Sequence, residues 1–89
     1  MSTRMDKIRA RLVETFTPLE CQLEDESALH AGHAGAASGG GHFRLRIIST
    51  QFEKQSRIHR HRLVYDCLDD MMHTEIHALA ITALAPSEI

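Results

Sequence analysis

A chain of 89 residues with a formal net charge of −2 has room for one domain with a thin core, and is no protein held on phosphates by bulk charge. Apolar and charged residues stand in ordinary proportion, which excludes global disorder. No run approaches the roughly 20 apolar residues of a membrane span, and no apolar signal region opens the chain, so the expected setting is the cytoplasm. Seven histidines in so short a chain are the unusual feature.

The first element is an amphipathic helix over residues 3–16. Met5, Ile8, Leu12 and Phe16 recur at helical spacing, Asp6 suits the positive end of the helix dipole, and Pro18 stops the helix. Leu19 to Asp25 then alternates, with Leu19, Cys21 and Leu23 on one face and Glu20, Gln22 and Glu24 on the other, as a half-buried strand does. Residues 28–41 form a loop of Ala, Gly, Ser and His with little apolar surface to anchor it, and we expect it to be flexible. His42 to Ser49 is a second strand. Its Phe43, Leu45 and Ile47 point inward, and its Arg44 and Arg46 lie across from the acidic face of the first strand if the two pair as a hairpin.

Phe52 to Ser56 reads as a turn or a single helical turn leading into the main helix, Ser56 to Leu68. A wheel at 100° per residue puts His61, Val64, Tyr65, Leu68, Met71 and Met72 on the arc to be buried, with Arg62, His59, Asp66 and Asp69 facing water. His73 to Glu75 connects to a last strand, in which His77, Leu79 and Ile81 share one side and Ile76, Ala78, Ala80 and Thr82 the other. The strand–helix–strand order makes the third strand parallel to the second. The fold class is therefore α/β (α+β) in the order αββααβ, a single domain over residues 1–89 with a three-stranded mixed sheet and its helices on one face. Cys21 and Cys67 have no paired spacing and sit in a strand and a helix pattern, so both read as buried thiols of a reducing compartment.

The phrase Arg60-His61-Arg62-Leu63-Val64-Tyr65 has Phe52 eight residues before it. The strand Ile76-His77-Ala78-Leu79 follows. This ordered set resembles the BolA family, and the resemblance runs from the first helix to Pro86. It implies an architecture like the class II KH fold, in agreement with the element order. Two departures stand out: Lys54 occupies a position where many relatives have glycine, and Ile89 one where tryptophan is frequent.

His77 opens the last strand. As a residue it reads either as a histidine at the edge of the core or as a metal ligand held rigidly by the strand. The resemblance implies the second, since His77 falls on the C-terminal histidine that BolA proteins use to ligate an iron–sulfur cluster. The family's second ligand is a loop histidine or cysteine. By order in the motif His30 matches it, with His42 the competitor and His33 a third choice, and with histidine and no cysteine there the chain resembles the histidine-loop subtype. A [2Fe–2S] cluster takes four protein ligands, so two histidines supply half. The resemblance names the other half as a monothiol glutaredoxin with bound glutathione. Histidine ligation makes such a site sensitive to pH, because an imidazolium cannot bind metal.

Lys54, Arg57, Arg60 and Arg62 cluster at the start of the main helix and support an alternative, a DNA-binding transcriptional regulator of helix-turn-helix type. Asp66, Asp69 and Asp70 make the other half of the same helix acidic, which confines any DNA contact to its first two turns. Neither a nucleophile elbow, a P-loop nor a dinucleotide fingerprint is present, and a non-enzymatic role is expected. On its own the chain is expected as a monomer or weak homodimer.

Overall fold

The computed structural model describes residues 3–26, 41–72 and 74–89, so the loop expected over 28–41, with His30 and His33, lies almost wholly outside the described residues. Helix α1 spans Arg4–Phe16. A reciprocal cap starts it: the Asp6 amide donates to Thr3 Oγ1 and the Thr3 amide to Asp6 Oδ2, both at 3.1 Å. Ile8, Leu12 and Phe16 form its buried face, and the helix ends where Thr17 turns left-handed before Pro18.

Strands β1 (Glu20–Asp25) and β2 (Gly41–Ile48) pair antiparallel, with Gln22 opposite Arg46 and Glu24 opposite Arg44. The expected facing of acids and arginines is present: Arg46 pairs with Glu20, and Arg44 reaches Glu26 at 3.3 Å. A single 3-10 turn, Thr50–Phe52, follows, so the short helix is one turn only. Its Phe52 is buried against Phe16, ring centroids 5.2 Å apart. Ser49 is also fully buried and donates from Oγ to the Phe16 carbonyl at 2.8 Å, which satisfies a carbonyl at the end of α1.

Helix α2 runs from Arg57 to Cys67, with the Ser56 hydroxyl accepting from the His59 amide as its N-cap. It stops short of the expected end, and a 3-10 turn, Asp69–Met71, carries the buried row on from Val64 and Leu68 to Met71. Tyr65 departs from the expected core arc: it is 39% exposed. The fully buried row is narrower than the wheel suggests: Val64 and Leu68 are buried, while Leu63 and Cys67 pack against the core only in part.

Strand β3 (Ile76–Leu84) lies parallel to β2, giving the order β1-β2-β3. Phe43, Leu45, Ile47 and Leu79 are buried beneath the helices, while Arg44, Ala78, Ala80 and Thr82 lie on the open face. The fold is the expected α+β arrangement of two helices and a three-stranded mixed sheet. One detail of the alternation is overturned. Gly41 pairs with Ile76 but His42 pairs with Ala78, so β3 has one extra residue, His77, between two pairings. Ile76 therefore turns into the core with Leu79, and His77 is exposed instead of sharing Leu79's side.

Candidate functional site

Two histidines meet where β2 and β3 begin. His42 follows Gly41 on β2, half-buried, and His77 occupies the extra position on β3. Their ring centroids are 5.1 Å apart with the planes tilted by 45°. The bulge is what brings them together. In an unbroken ladder His77 would point at the helices, whereas a bulge re-aims one side chain without disturbing the strand beyond it. Ala78, opposite His42, and Ala80, opposite Arg44, keep the adjoining sheet surface shallow. They floor an open trough of about 330 Å³ that runs from His42 and Glu26 across the face of β3.

Gly41 fixes the start of both strands, a role that sequence reading missed. Its amide donates to the Glu75 carbonyl at 3.1 Å, tying the entry of β2 to that of β3 directly before His42 on one strand and Ile76-His77 on the other. A Cβ placed on it would stand 2.5 and 2.7 Å from the Phe43 ring and 2.8 Å from the Arg4 guanidinium. On the other side, the Glu26 amide donates to the His42 carbonyl at 2.7 Å. The signal available in the sequence was the run of glycine ending directly before a strand histidine.

Imidazoles this close can share one metal atom, since two nitrogens each about 2.0–2.1 Å from a metal stand a little over 3 Å from one another. The donor set, two imidazole nitrogens at strand starts, suits a borderline metal such as iron or zinc. Among the described residues no group of three or more His, Cys, Asp or Glu side chains forms a metal-holding cluster. The geometry thus pairs His77 with His42; His30 and His33 lie outside the described residues.

The basic candidates divide. Lys54, Arg57 and Arg62 are exposed around the first turns of α2. Arg60 is 11% exposed at its side chain and already engaged: Nε donates to the Gln55 carbonyl at 2.9 Å, and Nη1 donates to the Ala83 carbonyl at 3.1 Å and to Glu88 Oε1 at 2.6 Å. Arg60 thereby ties the turn before α2 to the end of β3. The hydrogen bond from Arg60, then that from the Ala85 amide, holds the Glu88 carboxyl below the usual carboxylate range. In the 3-10 turn after α2, Arg11 does the same for Asp70.

Neither cysteine is fully buried as expected; both are free and half-buried. Cys67 Sγ donates to Thr15 Oγ1 at 3.2 Å, and burial pushes the Cys21 thiol up, away from the thiolate a nucleophile needs.

Residues 12–88 match the family model described as BolA-like protein. The chain belongs to the BolA family. Among BolA relatives, it is 38% identical over 91 residues to Protein BOLA1, chloroplastic, of Arabidopsis thaliana, covering 99% of this chain and 57% of that protein. It is 40% identical over 94 residues to SufE-like protein 1, chloroplastic/mitochondrial, of the same plant, covering 100% of this chain and 25% of the relative. The chain thus spans between a quarter and just over half the length of these curated relatives. Two solved structures have the same fold along their whole length. The BolA domain of SufE1 from Arabidopsis thaliana matches with a TM-score of 0.87 at 41% identity, and BolA1 from the same plant with 0.85 at 35%, each covering 100% of this chain and 99% of the other. No helix among the described residues is long and apolar enough to cross a membrane.

Proposed function

We propose that this BolA-family protein is a non-enzymatic partner that completes a shared metal site, with His42 and His77 as its two ligands. The observation that carries the reading is the bulged placement of His77 beside His42, ring centroids 5.1 Å apart. The family resemblance supplies the rest: a [2Fe–2S] cluster, and a monothiol glutaredoxin with its glutathione bringing the thiolates. When bound, the cluster supplies redox chemistry and a group that can be passed on. The chain's own contribution is to hold two imidazoles at a fixed separation, with Gly41 and Glu75 joining the strand starts beneath them. The proposed setting is the reducing cytoplasm, where partner thiolates stay available.

Co-expression with a monothiol glutaredoxin tests this. A visible cluster spectrum distinct from that of the glutaredoxin alone is expected, lost in His77→Ala and in His42→Ala and retained in His30→Ala. Retention in His42→Ala with loss in His30→Ala would move the second ligand into the loop and refute the pairing put forward here.

A second reading, nucleic-acid binding and transcriptional regulation, is favoured by the exposure of Lys54, Arg57 and Arg62 around the N-terminus of α2. It predicts binding that weakens steeply with salt and with Arg57→Ala, and is indifferent to His77→Ala.

A further inference from the structure

The outer edge of β3 is open for part of its length, and the hydrogen-bond pattern says which part. The Ser49 amide donates to the Leu84 carbonyl at 3.0 Å, so Leu84 faces β2, and with it the alternate positions Thr82, Ala80 and Ala78. Leu79, Ile81 and Ala83 must then direct their amides and carbonyls off the sheet. The bond from Arg60 Nη1 to the Ala83 carbonyl agrees with this and closes that carbonyl. The N–H and C=O groups of Leu79 and Ile81 are left pointing outward, with no bonded partner among the described residues.

Natural edges are commonly guarded by charge or proline. The β1 edge is, by Glu20, Glu24 and Asp25, whereas β3 has no charged residue, proline or glycine from Ile76 to Leu84. Beside its far half runs a groove of about 270 Å³, between Ile81 and the side chains of Arg57 and His61 at the start of α2. The one carboxylate there, Glu88, is taken up by Arg60 and the Ala85 amide. The groove therefore presents unspent positive charge along one wall and paired donors and acceptors along the other.

We propose that the β3 edge is a docking site for an extended acidic peptide segment of a partner protein, which adds as a fourth strand along Leu79–Ile81 and sets an acidic side chain against Arg57. A peptide supplies one N–H and one C=O at each bonding position, in register with those two residues. A phosphodiester chain has no donor to return to the Leu79 and Ile81 carbonyls. A second copy of this protein is a poor occupant, because its own β3 offers no acidic side chain to set against Arg57. The site uses the outer edge of β3 beyond His77 and needs neither histidine side chain.

The test uses the full chain labelled for NMR and a fluorescein-tagged hexapeptide of alternating Glu and Val. On binding, the Leu79 and Ile81 amides shift and gain protection from exchange. N-methylation of the peptide on the edge that meets β3 weakens binding by roughly tenfold or more, and Arg57→Glu does the same, each removing a bond or charge contact of that order. Arg57→Glu leaves the helix folded, since an acid suits an N-terminal turn. Binding in His77→Ala is unchanged, which keeps failure here distinct from failure of the cluster reading. Absence of peptide binding, indifference to N-methylation or to Arg57→Glu, or protection of those amides by a deoxythymidine octamer and not by the peptide, would each overturn the proposal.

Discussion

Lys54 has φ 63° and Thr17 φ 44°, left-handed values that a side chain with a Cβ adopts at a cost of about 1–2 kcal/mol. At Lys54 the turn takes this left-handed shape with a side chain in place and bears the strain. Lys54→Gly should therefore stabilise the fold. The gain is at most about 1 kcal/mol, because glycine also loses more freedom on folding. A urea midpoint that rises at unchanged slope is the expected result; a midpoint that falls would mean the Lys54 side chain holds the turn. Gly41→Ala should act the other way, by about 1–3 kcal/mol, since its methyl must displace the Phe43 ring or the Arg4 guanidinium. Residue types at the site were readable from the sequence: His77 and His42 both stood out as candidates. Their proximity was not, because strict alternation assigns His77 to Leu79's side, and a one-residue bulge leaves no mark in hydrophobic periodicity.

At the level of the elements, Arg60 changes the meaning of the basic run at the head of α2. Four cations in sequence suggest a uniform surface, yet one of them reaches back to Gln55, across to Ala83 and on to Glu88, fastening turn, strand and final 3-10 turn together. A helix wheel cannot find this, because the partners come from β3 and the turn beyond it. Arg60→Ala should lower stability by about 2–3 kcal/mol, the cost of leaving such carbonyls without a charged donor, and hydrogen exchange should rise first at Ala83 to Ile89. This latch and the Arg11–Asp70 pair set a pH dependence. Glu88 and Asp70 take up a proton less readily folded than unfolded, because Arg60 and Arg11 hold their carboxylates. Their stabilising effect is complete above the ordinary carboxylate range and is lost as pH falls through their lowered folded values. Urea midpoints across that acid range should fall more gently in Glu88→Gln than in the parent protein. Identical slopes would show that the Arg60–Glu88 pair contributes nothing to the acid transition.

For the whole molecule, periodicity alone was enough to order the elements, since each strand has one apolar row and each helix one buried stripe. Phe43, Leu45 and Ile47 on β2 lie beneath Ile8, Leu12 and Val64 as that pattern requires. What periodicity cannot convey is which ends of the elements coincide. The parallel pairing of β2 and β3 starts both strands at the same end, and so sets His42 and His77 on neighbouring strand starts though they are far apart in sequence. If both bind one metal, their losses should not add. Two ligands of a single centre fail as a unit, so removing the second after the first costs almost nothing more. His42→Ala, His77→Ala and the double variant, each co-expressed with the glutaredoxin, should thus show the same loss of the heteromeric cluster band. Apart from the metal, all three should unfold at similar urea concentrations, because His77 is exposed and His42 is half-buried at a strand start. A double variant whose loss equals the sum of two partial ones would mean that the histidines act at separate places, and that their closeness in the fold serves something other than a shared ligand position.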